Sequence, residues 1–247
     1  MDHLDELEAR SVYILREAFY HVKPLAMLWS IGKDSGVLAW LAMKAFYGRV
    51  PFPALHLDTD MEFDEVYQFR DRMAREWNLD LRAPKCPPFE ATDPTLPTAA
   101  RSAARKTLGL ANVLKEMKLK GIILGIRRDE ERLRAKERVF SPRDESGLWN
   151  FREQPPEFWD QFMTAPPEGA HLRIHPLLSW TELDIWRYIE REAIDLPELY
   201  FAHEREVFER DGMLLATEAP LPRLPGEQPF TTIVRYRTVG DMTCTGA

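Results

Sequence analysis

The stretch Leu25-Ala26-Met27-Leu28-Trp29-Ser30-Ile31-Gly32-Lys33-Asp34-Ser35-Gly36-Val37-Leu38 decides the fold. Its first five residues are continuously apolar, as suits a strand buried on both faces of a parallel sheet. Ser30 to Ser35 is a polar turn, and from Val37 to Phe46 the apolar residues run as a helix. Strand, tight turn and helix are the opening of a βαβ unit. Pro51-Phe52-Pro53 ends the helix, and residues 54–57 make a second short strand closing on Asp58-Thr59-Asp60.

The same alternation continues outward. Phe63, Val66, Tyr67, Met73 and Trp77 sit at helical spacing, and residues 79–81 could be a third strand. Residues 86–97 are Pro-rich loop, residues 99–119 a helix, and Gly121-Ile122-Ile123-Leu124-Gly125 the clearest buried strand. Residues 172–175 give a fifth strand, and residues 181–190 a helix with Thr181 as its cap. Upstream, Leu4, Leu7, Val12, Leu15 and Phe19 mark an opening helix. Strands alternating with helices predict an α/β fold. The expected sheet is doubly wound, mostly parallel and of about five strands, with helices on both faces. That domain spans residues 1–190, and residues 191–247 read as a less regular C-terminal appendage and a candidate surface for a partner.

Bulk properties narrow the function. The 247 residues are 45% hydrophobic and 30% charged, enough for one sizeable core. The formal net charge of −7 disfavours nucleic acid as the main partner, because phosphate neutralisation carries most of that affinity. No run of about 18 apolar residues predicts a membrane span, and the acidic N-terminus lacks a secretory layout. Cys86 and Cys244 form no CxxC pair, so no structural metal site is expected and a cytoplasmic setting is the default.

The turn itself suits an anion. Gly32 removes a side chain where backbone must approach a phosphate, and the amides that open the next helix point at it. Lys33 adds a full charge, and Ser30 and Ser35 add hydroxyls. In isolation the same residues are also an ordinary polar turn. A Walker A loop is excluded, since Leu28 stands where its first glycine belongs and Asp34 where its hydroxyl belongs.

Ser30-Ile31-Gly32-Lys33-Asp34-Ser35 instead resembles the S-x-G-K-D-S loop of the PP-loop ATP pyrophosphatases, which hold the β and γ phosphates as leaving pyrophosphate. More widely, the chain resembles sulfate adenylyltransferase subunit 2, the small subunit of heterodimeric ATP sulfurylase. The matches include Phe52-Pro53, Leu57-Asp58-Thr59 and Gly125-Ile126-Arg127-Arg128-Asp129-Glu130-Glu131. They continue through Ser141-Pro142-Arg143-Asp144-Glu145, Trp180-Thr181-Glu182-Leu183-Asp184-Ile185-Trp186 and Arg235-Tyr236-Arg237-Thr238.

The resemblance implies an adenine nucleotide alpha hydrolase-like fold and AMP transfer from ATP to sulfate, with Mg²⁺ assisting. It implies that Ser30, Gly32, Lys33, Asp34, Ser35 and Gly125 hold the nucleotide, with Asp58 and Thr59 toward adenosine. Lys33, Arg127 and Arg128 would carry the chemistry, the arginines holding sulfate or the α phosphate, with Arg134 a further candidate. Asp58 and Thr59 also suit a plain strand-end cap, and Arg132 and Arg138 a solvated helix face. No residues are expected to bind a metal as a protein site. A GTPase large subunit is the implied partner, since no GTPase motif occurs here.

Two alternatives share the loop: a sulfonucleotide reductase, and an ATP-binding subunit without turnover. A reductase needs a nucleophilic cysteine, and Met242-Thr243-Cys244-Thr245-Gly246 does not match its Glu-Cys-Gly-x-His tail. Two departures from the resembled family stand out. The family continues into a further helical tail past its Thr-Gly-Ala, and it reads Leu-Gly-Cys where this chain has Val239-Gly240-Asp241.

Overall fold

The computed structural model describes residues 2–247. Its sheet begins with β1 (Leu25–Leu28), where alternate side chains serve two cores. Leu25 and Met27 join one apolar cluster, while Ala26 packs into the other with Leu28 against it. The same division holds for β2 (Ala54–Leu55) and β4 (Gly121–Ile123), where Ala54 and Ile123 face one way and Leu55 and Ile122 the other. A strand apolar on both faces needs cover on both, and the helices supply it.

Four helices contribute to the larger core: α1 (His3–His21), α2 (Lys33–Ala45), α3 (Asp64–Glu76) and α5 (Glu182–Glu192). The opposite face is covered by α4 (Thr98–Glu116), through Leu110 and Val113. Each of these helices lies within a few residues of its sequence expectation. Thr181 caps α5 by a reciprocal capping box with Asp184, as its position predicts.

With β3 (Leu81–Arg82), β5 (Phe140–Arg143) and β6 (His171–Ile174), the sheet has six strands in the order β3-β2-β1-β4-β6-β5. All neighbours are parallel except β5 and β6. The sixth strand goes beyond the expected five. Phe140-Ser141-Pro142-Arg143 is half polar and holds a proline, which a sheet tolerates at an edge. The sheet's far face changes character at β6. Leu172 and Ile174 enter the large core, but Arg173 projects from the other side, in register with Ile122 and Ser141.

The C-terminal segment holds more order than its sequence suggests. β7 (His203–Arg210) is the centre of an antiparallel sheet between β8 (Met213–Ala216) and β9 (Phe230–Val234). Charged residues dominate β7, and only Val207 and Phe208 are buried, so its pattern is too weak to read as a strand. This sheet belongs to the same body as the rest. Val207, Ala216, Val234 and Tyr236 join the large core, and the Tyr236 amide donates to Leu199 O at 2.8 Å.

Candidate active site

β1 ends at Leu28, and the chain must then turn into α2. Ile31 makes that turn at φ +65°, a conformation costly for a β-branched residue. Its side chain is 1% exposed and anchored in the large core, which holds the strained backbone in place. Gly32 is the N-cap of α2 and offers no side-chain cap. A helix start leaves its first amides without intrahelical partners, so they are directed to whatever anion enters. The Ser30 hydroxyl donates to Ser35 Oγ at 3.2 Å, and Ser35 Oγ donates to Gly32 O at 2.9 Å, closing the loop on itself.

Gly125 lies against this turn. A Cβ there would meet Asp34 O at 3.2 Å and Ser35 N at 3.3 Å, both backbone atoms that cannot swing aside. Glycine lets the chain after β4 abut the start of α2 without pressing on its backbone.

Lys33 is 4% exposed. Its Nζ lies 3.4 Å from Asp34 Oδ2 and 3.4 Å from Glu182 Oε1. Burial lowers its pKa; Arg127 and Arg237 push the same way, and Glu182 opposes them. Glu182 is the first residue of α5 and also accepts from Arg237 Nη2 at 2.7 Å. Lys33, Asp34, Arg127, Glu130, Arg134 and Arg237 line a cavity of about 520 Å³, completed by Asp129, Glu131, Glu182 and Thr238. Its walls carry four cations and five carboxylates, so it has no positive excess of its own.

A polyphosphate in such a cavity needs a counter-ion. Among the described residues no cluster of three or more histidine, cysteine, aspartate or glutamate side chains could cage a metal. Asp34 and Glu130 do face the same space. One or two carboxylates are what Mg²⁺ takes when phosphates and water supply its other ligands.

The two arginines expected to carry chemistry lie in different places. Arg127 is 3% exposed and set among carboxylates. It pairs with Asp34, Nε lies 2.9 Å from Asp129 Oδ1, and Nη1 lies 3.5 Å from Glu130 Oε1. Arg128 points away from the cavity. Its Nη1 donates to Ser179 Oγ at 3.3 Å, and burial lowers its pKa there, with Glu157 opposing and Arg10 and Arg138 adding to the fall. Arg134 does reach the cavity, where it pairs with Glu130 at 2.9 Å and Glu131 at 3.1 Å.

A second cavity of about 180 Å³ opens on the other side of Ser30, between Leu28, His56, Leu57, Glu62, Lys106 and Arg173. Asp58 and Thr59 are its neighbours and not its lining. Asp58 Oδ1 accepts from Tyr67 Oη and from Asp60 N, each at 2.9 Å. Burial would raise its pKa, but those two bonds more than offset it and the pKa is lowered. Thr59 is 0% exposed, and its carbonyl accepts from Arg105 Nη2 at 2.8 Å. Both residues brace the end of β2, while His56 and Glu62, paired at 3.2 Å, form the wall.

Sequence reasoning assigned no chemistry to Tyr200, Glu182, Arg237 or Arg173. The Lys33 amide donates to Tyr200 Oη at 2.9 Å, so a residue from the far end of the chain sits on the loop. Lys106, on α4, is 3.7 Å from Glu62 at the second cavity. The sequence signal for Glu182 and Arg237 was position inside matched blocks, which names no partner.

Fold and site together define a PP-loop nucleotide-binding protein. The phosphoadenosine phosphosulfate reductase domain family matches residues 24–247. A solved phosphoadenylyl-sulfate reductase from Candida auris, in complex with phosphate, shares the fold at a TM-score of 0.55 and 17% identity, covering 80% of this chain and 89% of that one. The chain is 45% identical over 247 residues to sulfate adenylyltransferase subunit 2 of Mycolicibacterium gilvum (strain PYR-GCK), covering all of this chain and 80% of that protein. It is 44% identical over 257 residues to the protein of that name from Shewanella pealeana (strain ATCC 700345 / ANG-SQ1), covering all of this chain and 83% of that one. The chain belongs to the sulfate adenylyltransferase subunit 2 family.

Proposed function

We propose that this chain transfers the AMP of ATP to sulfate, giving adenosine 5′-phosphosulfate and pyrophosphate. The observation that carries this reading is family membership at 45% identity, over all of this chain and 80% of the relative. The loop geometry supplies its chemistry. Ser30, Gly32, Lys33, Asp34 and Ser35 hold the phosphates, with the ribose and base entering the cavity beside Ser30. A sulfate oxygen attacks the α phosphorus, the α–β phosphoanhydride bond breaks, and its electron pair leaves on pyrophosphate. Sulfate is already an anion, so no general base is needed and catalysis rests on positioning and charge.

Lys33 neutralises the leaving pyrophosphate. Arg127, bound to three carboxylates, braces Asp34 and thereby the loop. Mg²⁺ bound with the nucleotide would use Asp34 and Glu130 and supply the positive charge that the cavity walls lack. The product anhydride is high in energy, so a GTPase partner subunit is proposed to drive the reaction, as the designation "subunit 2" among the relatives suits. Among the described residues no helix is long and apolar enough to cross a membrane. The cytoplasm is the proposed setting. Residues 191–247 are the proposed place for partner contacts.

A reductase reading needs a reactive thiolate. Burial raises the pKa of both Cys86 and Cys244, and Cys244 Sγ rests 3.5 Å from Asp241 O. Cys244→Ser is expected to retain wild-type turnover; its abolition would support the reductase. The deciding measurement is pyrophosphate release from ATP over sulfate, selenate and molybdate, with and without a GTPase subunit. Release with none of them in either condition removes the adenylyltransferase assignment.

A further inference from the structure

Arg173 sits where a parallel sheet ordinarily places an aliphatic residue. Its neighbours on β6 that face the large core are Leu172 and Ile174, but its own side of the strand is polar. Ser141 and Arg143 on β5 share that side with His171 and Arg173 through the antiparallel register. Arg143 is 3% exposed and fully engaged, with Nη2 on Glu137 Oε1 at 2.5 Å and Nη1 on Ser141 Oγ at 2.7 Å. Arg173 differs. Its Nε is buried without a hydrogen-bond partner among the described residues. Burial lowers its pKa, with Glu137 opposing and Arg134 adding to the fall. A half-buried guanidinium left unpaired costs free energy unless something else satisfies it.

A third cavity of about 340 Å³ lies against it, lined also by Arg134, Arg143, Trp149 and His175. Three arginines and two glutamates, Glu131 and Glu137, face this space. It therefore carries the positive excess that the Lys33 cavity does not have. His175 adds no charge: its Nδ1 lies 2.8 Å from Arg138 O, and burial pushes its pKa down to about 3.

The placement of the cavity is as informative as its charge. It shares Glu131 and Arg134 with the Lys33 cavity and Arg173 with the cavity beside Ser30, and those two share no lining residue. In bound ATP the α phosphorus lies between the nucleoside and the pyrophosphate. An acceptor reaching it must come from a compartment that touches both. We propose that the Arg173 cavity is the acceptor pocket, with Arg173 the group that binds the incoming tetrahedral oxyanion. The assignment rests on the adenylyl-transfer reading and moves the acceptor away from Arg127 and Arg128. Arginine suits the role, since its planar fork meets two oxygens of an oxyanion at once.

The test is calorimetric binding of sulfate to the chain held with a non-hydrolysable ATP analogue, in wild type and in Arg173→Met, Arg173→Gln and Arg173→Lys. A cooperative thermal unfolding transition is recorded first in each variant as the folding control, and analogue affinity is measured separately because Arg173 also lines the cavity beside Ser30. The expected result is a folded chain in each variant, sulfate affinity reduced in R173M and R173Q at least ten-fold more than analogue affinity, and partial retention in R173K. Should R173M fail to fold, R173Q and R173K carry the comparison. Unchanged sulfate affinity overturns the proposal, and so does an equal loss of analogue and sulfate binding. Absence of sulfate binding in wild type overturns it as well. Turnover with a GTPase subunit separates the two levels. If wild type binds sulfate through Arg173 yet releases no pyrophosphate, the pocket stands and the transferase reading falls. If it turns over with a sulfate KM indifferent to Arg173, the reading stands and the pocket falls.

Discussion

Two buried cations flank the loop, and their surroundings assign them different work. Lys33 Nζ stands 3.4 Å from each of two carboxylates, too far for a tight bond, and it opens on the phosphate cavity. Lys33→Met is expected to lower kcat/KM for ATP by roughly 10²–10³-fold, the scale of losing one preorganised charge contact in a transition state. Its melting temperature should hardly change, because Glu182 keeps Arg237. Arg127 is the converse case. Arg127→Met leaves Asp34, Asp129 and Glu130 facing one another without their common cation, and is expected to cost about 3 kcal/mol of folding stability. Denaturant titration beside pyrophosphate-release kinetics checks both variants. An Arg127→Met chain as stable as wild type would contradict the bracing role.

At the scale of elements, the start of α5 joins folding to the site. Thr181 accepts the Asp184 amide at 3.2 Å, Asp184 accepts the Thr181 amide at 2.9 Å, and the next residue, Glu182, faces Lys33. Thr181→Ala removes one half of that box and is expected to cost about 1 kcal/mol, or about 2–4 °C in Tm for a chain of this size. ATP KM should rise with it, because a frayed first turn no longer fixes Glu182; an unchanged KM would uncouple the cap from the site. This cap was legible from sequence, as were β1, β2, β4 and β6, since each is a local pattern of a few residues. The loop at Ser30 was legible for the same reason. β5 was not, because its proline and arginine are tolerated only at a sheet edge, a position that sequence does not mark. The partners of Arg127, Arg128, Asp58 and Thr59 were equally hidden. Each meets carboxylates, amides or hydroxyls placed on it by the fold, and an arginine's residue type does not say whether it is already paired. Tyr200 and Arg237 lie far along the chain from the loop they meet.

For the molecule as a whole, acid sensitivity follows from the buried histidines. Burial holds the pKa of His175 near 3 and that of His171 near 4, both well below the ordinary histidine value. The unfolded chain therefore takes up protons below about pH 6.5 that the folded chain refuses, so stability is intact above that pH and falls as pH drops toward 4. Glu227, which Arg210 holds down to about 2, protects stability above the ordinary carboxylate range and loses its contribution only below it. The decline between pH 6.5 and 5 thus belongs to the histidines. Melting temperatures from pH 7 to 4 should fall across that interval, and less steeply in His175→Gln; identical slopes would dismiss the assignment. The way the chain's end meets its beginning has a temporal consequence. The loop is synthesised early, but Tyr200 seats its hydroxyl on the Lys33 amide, Arg237 holds Glu182, and the Met242 amide donates to Met61 O at 2.7 Å. A chain emerging from the ribosome carries the loop long before those residues exist. The phosphate cavity is thus completed only once Tyr200 and Arg237, made well after the loop, have taken their places on it.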